Sequence, residues 1–308
     1  MKIKFYILVL LFQLTFFINI AKSAEIKILF KINNEIITSL DLLNEIKYLK
    51  TINTDFKEFD QNKIYEISKN SLIREKIKEL ELLKFYKSIK IDDKYIDQTI
   101  NKLIRNANFK NIDEFLKYLK QENIKIDTIK RKITIEFMWN DLIVSKFLKN
   151  IKINKQKIKE NIIKNNKQKE FLLSEIVFSI KDNEKINKKF NLISESIKEK
   201  KFSNAALIYS VSETANIGGT LGWLKESSIN KKINEELLKI SIGQHTQPIV
   251  VPGGFLILKI DDIRMINVDK NIDNEVELIV KQKINSQLNQ QSNKYYKKIK
   301  KDFLIHEL

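Results

Sequence analysis

The sequence predicts an α+β fold that is mostly helical, and three observations carry this expectation. The chain has 308 residues but only 6 Gly and 2 Pro, where average usage gives about 20 and about 15. All eight lie between Gly218 and Gly254. Before that island no helix breaker interrupts the chain, and apolar residues recur at three- and four-residue spacing, the mark of amphipathic helices. Around the island stand short runs rich in β-branched and aromatic residues, the pattern of buried strands, joined by turns that need positive φ. With 43% hydrophobic residues the chain has apolar surface enough for real cores, and its length accommodates two domains.

The first residues read as an export signal. Lys2 and Lys4 precede an apolar run from Phe5 to Ile20, and Ala21 and Ser23 follow as small residues two apart, which places cleavage after Ser23. The run contains Gln13, Thr15 and Asn19 and is short of the ~20 apolar residues of a stable span. An uncleaved anchor is the alternative. The mature protein is expected outside the cytoplasm, with no stable membrane span.

Ile26, Ile28 and Phe30 alternate, Asn33-Asn34 supplies a turn and Glu35-Ile36-Ile37 returns, so a β-hairpin is expected over 25–37. Thr38-Ser39-Leu40-Asp41 matches a capping box, and Leu42, Ile46 and Leu49 carry the helix it opens. A polar loop from Thr51 to Phe59 leads to a long helix from about Gln61 to Ser88. Asp92-Asp93 begins the next, with Tyr95, Ile96, Ile100 and Leu103; Ile112, Phe115, Leu116 and Leu119 mark a short one. Ile126 to Leu148 is long and apolar, with Trp139 among core-type neighbours, and Lys155 to Asn165 reads as a polar connecting helix.

Composition then changes. Phe171 to Phe178 reads as a strand, Asn183 to Glu199 and Ser203 to Tyr209 as helices, and Gly218-Gly219-Thr220-Leu221-Gly222-Trp223 as a glycine-bearing loop. Asn234 to Ile240 is helical and Thr246 to Val251 extended. Gly253-Gly254 turns the chain into a buried strand, Phe255 to Ile260. A last long helix runs from about Asp273 to Lys301, and Phe303-Leu304-Ile305 adds a final strand.

Charge and cysteine content exclude several function classes. The formal charge is +17, yet the only Arg are Arg74, Arg105, Arg131 and Arg264, and Arg is the residue that reads phosphates and bases bidentately. The Lys are spread over nearly every segment, so the excess charge reads as a solvated surface. No nucleic-acid partner is expected, and a basic polyanion-binding structural protein stays as an alternative. With no Cys and only His245 and His306, disulfides, thiolate chemistry and a His-based metal site fall away. No cofactor or metal is expected.

Three patches carry a family resemblance: Ile32-Asn33-Asn34-Glu35-Ile36-Ile37 leading into Ser39; Phe202 to Ser210 followed by Gly218-Gly219-Thr220-Leu221-Gly222-Trp223; and Ile242-Gly243, Gln247-Pro248-Ile249 and Gly253 to Ile260. Together they resemble the SurA-type periplasmic chaperones, with one parvulin-type peptidyl-prolyl isomerase domain. The resemblance implies a signal peptide over 1–23, an N-terminal helical domain over 24–166, a parvulin-like insert over 167–267 and a C-terminal helix over 268–308 that returns to pack on the N-terminal helices. It implies an ATP-independent chaperone of the periplasm, with unfolded outer-membrane proteins or other exported polypeptides as partners. Helices built around Tyr118, Phe137 and Trp139 are candidates to line its concave client surface, with the Trp139 ring itself read as packing.

In this family an apolar pocket holds the proline ring beside a small cluster of His and Cys or Asp. By alignment to the family pattern, Leu221, Ile229 and Ile233 fall at the pocket positions. Glu175 stands where the first-strand His is expected, Ser212 at the usual Cys or Asp, and Leu256 at the last-strand His. Leu neither donates nor accepts a hydrogen bond, and His245 lies about ten residues too early to replace it. The resemblance therefore implies substrate binding by Leu221, Ile229, Ile233 and Leu256 and a reduced polar site of Glu175 and Ser212, with weak or no isomerase activity. An active periplasmic isomerase is the alternative.

Overall fold

Thr38 ends the first hairpin and starts the first helix. Its hydroxyl accepts from Asp41 N at 3.3 Å, and Asp41 Oδ2 accepts from Thr38 N at 2.8 Å, so two amides without helical partners are satisfied reciprocally. The computed structural model describes residues 26–308 except 54–55, 57–58, 108, 165–166, 181–183 and 268–270. The expected signal segment 1–23 and its cleavage point lie outside the described residues.

The hairpin is β1 (Ile28–Ile32) and β2 (Glu35–Thr38), and the helices that follow are α1 (Ser39–Ile52), α2 (Gln61–Leu82), α3 (Asp93–Asn106), α4 (Ile112–Gln121) and α5 (Ile126–Phe147). Asp60, Asp92 and Asn111 cap α2, α3 and α4 through side-chain oxygens that accept from Lys63 N, Lys94 N and Glu114 N, each worth about 1 kcal/mol. Helix α2 ends at Leu82 rather than near Ser88. Lys84 N and Phe85 N bond three residues back, to Glu81 O and Leu82 O, and this tight turn leaves Leu83 and Phe85 exposed while Tyr86, Ile89 and Ile91 reach the core. No Gly or Pro marks the stop, so local pattern could not show it.

The main core joins both ends of the chain. Phe30, Ile32 and Ile37 of the hairpin, Ile73 and Ile77 of α2, and Met138, Trp139 and Leu142 of α5 pack with Leu288, Tyr296, Ile299 and Phe303. The last four belong to α10 (Ile272–Lys300) and the turn after it. Strand β7 (Ile305–Glu307) pairs antiparallel with β1, Lys31 opposite His306, giving a three-stranded sheet of order β2-β1-β7. Trp139 is fully buried and donates through Nε1 to Ser292 Oγ at 2.8 Å. It is core, as its neighbours in the sequence suggest, and so cannot line a client surface; Phe137 is exposed and Tyr118 half-buried. Helices α3 and α4 form a smaller core with the first turns of α5, around Ile100, Phe115, Leu119 and Ile129.

Helix α6 (Lys155–Lys164) is more than a connector. Ile158 and Ile162, four apart and so on one face, pack on Val276, Ile279 and Val280 of α10. Beyond it, β3 (Lys167–Phe178), β4 (Thr220–Lys225), β5 (Ile249–Val251) and β6 (Gly254–Asn267) form an antiparallel sheet of order β4-β3-β6-β5. Strands β3 and β6 outrun their apolar stretches because polar residues pair there too, Glu170 with Arg264 at 2.6 Å. The glycine-bearing stretch is not all loop: Thr220 to Trp223 lie within β4, where Thr220, Gly222 and Trp223 pair with β3 and Leu221 sits at a register shift. Ile176, Phe178 and Ile257 face α7 (Ile186–Lys200) and α8 (Phe202–Tyr209), while Leu173, Val177, Leu256 and Leu258 face the opposite side with Leu237 of α9 (Lys231–Leu237). This is the period-two alternation of a sheet covered on both faces.

An ionic junction centred on the buried Lys78 ties the sheet region to the helices. Lys78 Nζ of α2 lies 2.6 Å from Glu136 of α5 and 3.1 Å from Glu213 in the 3-10 turn Glu213–Ile217. Glu213 also accepts from Ser292 Oγ at 3.0 Å. Burial alone would push the Glu213 carboxyl up, but Lys78, the hydrogen bond from Ser292 and the Arg74 charge together hold the group below the usual carboxylate range. Among the described residues, no helix is long and apolar enough to cross a membrane.

Candidate functional site

Glu175 is placed by a close backbone approach. Its N–H donates to Gly219 O at 2.8 Å, and Gly219 N donates to Thr214 O at 2.8 Å. Gly219 has φ +81°, and a Cβ there would stand 2.2 Å from Glu175 O. Only glycine tolerates both conditions. The contact presses the turn Glu213–Ile217 against β3 and delivers two hydroxyls to one carboxylate oxygen. Ser212 Oγ donates to Glu175 Oε1 at 2.6 Å and Thr214 Oγ1 donates to it at 2.9 Å.

The segment that carries Ser212 is itself pinned. Ser210 Oγ accepts from Val177 N at 3.1 Å and Ser212 N at 3.2 Å. From the helical side, Arg74 of α2 donates to Ser212 O at 2.9 Å and to Ser210 O at 3.2 Å. The pair expected from the sequence, Glu175 and Ser212, is thus brought together, and Thr214 joins it.

Desolvation raises the Glu175 carboxyl above its ordinary range; the hydrogen bonds from Ser212 and Thr214 oppose this, and the nearby Glu213 charge adds to it. A carboxyl raised in the fold favours folding fully below its unfolded-state value near 4.3, and that contribution is lost as pH rises through the raised value. Glu175→Gln keeps an acceptor for both hydroxyls and removes the ionisation. We expect its urea midpoint at pH 8 to equal or exceed that of the parent, with the difference shrinking as pH falls toward 5. A midpoint clearly below the parent at pH 8 would show that the carboxylate charge itself stabilises the site.

Glu175 opens onto a cavity of about 270 Å³. Leu221, Ile229, Ile233 and Leu256 line it, joined by Leu173, Val177 and Leu258 from the same sheet face. The four apolar residues expected from the sequence are therefore gathered in one place with Glu175. Ser212 does not line the cavity and reaches it only through Glu175. His245 lies elsewhere, its ring edge-on to Phe190 at 6.0 Å between centroids.

The opposite wall went unread in the sequence. Gln282, Asn285, Asn289 and Asn293 of α10 also line the cavity. A signal existed: Ile284 to Asn293 carries no charged residue, in a chain that is 31% charged. A second cavity, about 360 Å³, lies between α1, α2, α3 and α5 and is lined by charged residues including Arg74, Glu75, Lys132 and Glu136. Lys132 already pairs there with Glu45 at 2.5 Å and with Glu75.

This cavity can take a proline ring or another apolar side chain, with the single carboxyl of Glu175 at its edge. It holds no imidazole and no thiol. Rotation about an X–Pro bond, which faces a barrier of about 18–20 kcal/mol, breaks no covalent bond and needs only an environment that favours the twisted amide.

Residues 157–262 match the family model described as Rotamase, PPIC-type PPIASE domain. No curated protein matches the chain. Among solved structures, a PpiC-type peptidyl-prolyl cis-trans isomerase domain is 25% identical, over 31% of this chain and 92% of that one, with a TM-score of 0.28. The peptidylprolyl isomerase PrsA of Bacillus anthracis is 17% identical, over 77% of this chain and 98% of its own, with a TM-score of 0.34. One of the Campylobacter jejuni proteins PEB4 and Cj1289, described as SurA-like chaperones, is 16% identical, over 92% and 99%, with a TM-score of 0.34.

Proposed function

We propose, from the premise that residues 157–262 carry a PPIC-type rotamase domain, that the protein is a periplasmic, ATP-independent chaperone that holds unfolded exported polypeptides and has little isomerase activity. Outer-membrane proteins are the clients we favour. In this reading residues 1–23 are a cleaved signal, residues 24–166 and 268–308 form one helical body, and residues 167–267 are inserted into it.

The observation that carries the reading is the composition of the cavity. Its apolar lining, Leu221, Ile229, Ile233 and Leu256, suits an apolar side chain of a polypeptide. The polar group beside it is a carboxylate already engaged by two hydroxyls. Leu256 offers no hydrogen bond, and no His lines the cavity. Binding is retained in such a site while stabilisation of the twisted amide is reduced.

The test pairs two assays on the full mature chain. At stoichiometric amounts it should suppress aggregation of an unfolded β-barrel protein. On a proline-containing tetrapeptide it should accelerate isomerisation only slightly, and Ser212→Ala should change that rate less than about twofold. No suppression of aggregation would count against the chaperone reading. Robust isomerisation abolished by Ser212→Ala would instead establish the alternative, an active isomerase using Glu175 and Ser212.

A further inference from the structure

We infer that α10 is the second wall of this binding site and that the two walls together select an extended, uncharged polypeptide segment. The inference rests on the polypeptide-binding reading above and deepens it. On that view the PPIC-type domain supplies only half of the site, and the helical body supplies the rest.

Gln282, Asn285, Asn289 and Asn293 are spaced three, four and four residues apart and so form one stripe along α10. All four line the cavity, facing the apolar wall. The helix is held at both ends of the stripe. Lys225 and Glu275 form a buried ion pair at 2.6 Å, and the Gln282 amide accepts from Lys225 N at 3.4 Å and lies 3.5 Å from Trp223 O. At the far end the Gly253 turn abuts α10, where an added Cβ would come within 3.2 Å of Lys294 N. The stripe is therefore a fixed wall rather than a swinging lid. Between the clamps, the side chains of Asn285, Asn289 and Asn293 have no hydrogen-bond partner among the described residues.

Free amides that face an apolar wall suit a peptide backbone. Each carries one acceptor and two donor hydrogens, complementary to a C=O and an N–H. Four helical residues advance about 6 Å, and two residues of an extended chain advance about 6.7 Å. Successive amides of the stripe thus meet every second residue of an extended segment nearly in step. Charge narrows the choice further. Of the nineteen residues that line the cavity, only Glu175 is ionisable, in a chain that is 31% charged. A charged side chain in the segment would be desolvated here without a counter-ion, apart from a cation beside Glu175.

Isothermal titration of the full mature chain with an uncharged, proline-free octapeptide of Ala, Leu and Thr, blocked at both ends, tests the inference. Asn285→Ala/Asn289→Ala should weaken binding at least fivefold. Asn285 and Asn289 are exposed on the helix, so their replacement leaves the fold intact, which thermal unfolding checks. Asn289→Lys should weaken binding of the neutral peptide and favour the same peptide carrying two Glu. Ile233→Asp should abolish binding through the apolar wall, with Ile229→Asp in its place should that variant not fold. Loss in the Ile233 variant with the double Asn variant within twofold of the parent would overturn the second wall and leave the pocket reading standing. A Glu-bearing peptide that binds the parent as tightly as the neutral one would overturn the selection for uncharged segments. Absence of peptide binding by the parent, or binding untouched by Ile233→Asp, would overturn the inference and the pocket reading together, while suppression of aggregation would still report on the chaperone reading.

Discussion

Gly219→Ala is expected to cost about 2–3 kcal/mol of unfolding free energy and to take polypeptide binding with it. Two effects combine at this position. A φ of +81° strains any residue with a Cβ, and the new Cβ would meet Glu175 O at 2.2 Å. The obstacle is backbone in the middle of a paired strand, so relief requires β3 or the turn Glu213–Ile217 to move. Either movement separates Glu175 from Ser212 and Thr214. Gly222 is the control that separates strain from collision: it has the same φ of +81° but nothing within 4 Å of the added Cβ. Gly222→Ala should therefore cost about 1 kcal/mol, the strain alone. Urea unfolding of both variants measures the difference. Equal losses would mean that the approach of Gly219 to Glu175 contributes nothing of its own.

Trp139→Ala is the second large effect, with an expected loss of about 3–5 kcal/mol. The ring is fully buried, stands 5.7 Å from the Tyr295 ring and lies 5.2 Å from Lys78 Nζ. Its removal leaves a cavity at the point where α5 meets α10. It also takes the Nε1 donor from Ser292, which continues to donate to Glu213. Helix α10 is then less firmly seated, so peptide affinity should fall although Trp139 does not line the binding cavity. Trp139→Phe keeps most of the apolar volume and should lose a minor part of the stability. Urea unfolding together with the octapeptide titration checks both variants. A loss below about 1 kcal/mol for Trp139→Ala would mean that the core closes over the space and that α10 is held by its ion pairs instead.

Both effects pass through the same region. Arg74 and Lys78, one helical turn apart on α2, reach the backbone of Ser210 and Ser212 and the carboxylate of Glu213. Glu213 in turn holds Ser292 of α10. The apolar wall, the polar pair at its edge and the amide stripe are thus anchored to one junction, centred on the buried Lys78. Removing one partner of a buried ion pair leaves the other uncompensated and is far more costly than losing an exposed pair. The arrangement ties α2 and α10 directly to the segment that carries Ser212 and Glu213.

By itself the sequence determined the class of fold, the order of its elements and four apolar residues that the fold gathers around one cavity. Periodicity of 3.6 or 2 residues records which side of an element is buried, and caps such as Thr38, Asp60 and Asp92 are local chemistry, so the helices and strands were legible with small errors at their ends. The island from Gly218 to Gly254 pointed to tight backbone geometry, and Gly219 and Gly254 do press against carbonyls of β3. Leu221, Ile229, Ile233 and Leu256 were legible through the family resemblance. What only the tertiary structure decided is who faces whom. Gly222 and Trp223 became strand because β3 offered them a ladder, and α10 closed over Trp139. Asn285 and Asn289 line the cavity with Ile233 and Leu256 only because the fold brings α10 to that side of the sheet. Local pattern reports burial, a property of one residue and its near neighbours. The second wall of the site depends on residues far apart in the chain, and their meeting is set by the packing of whole helices against a sheet, which no local spacing records.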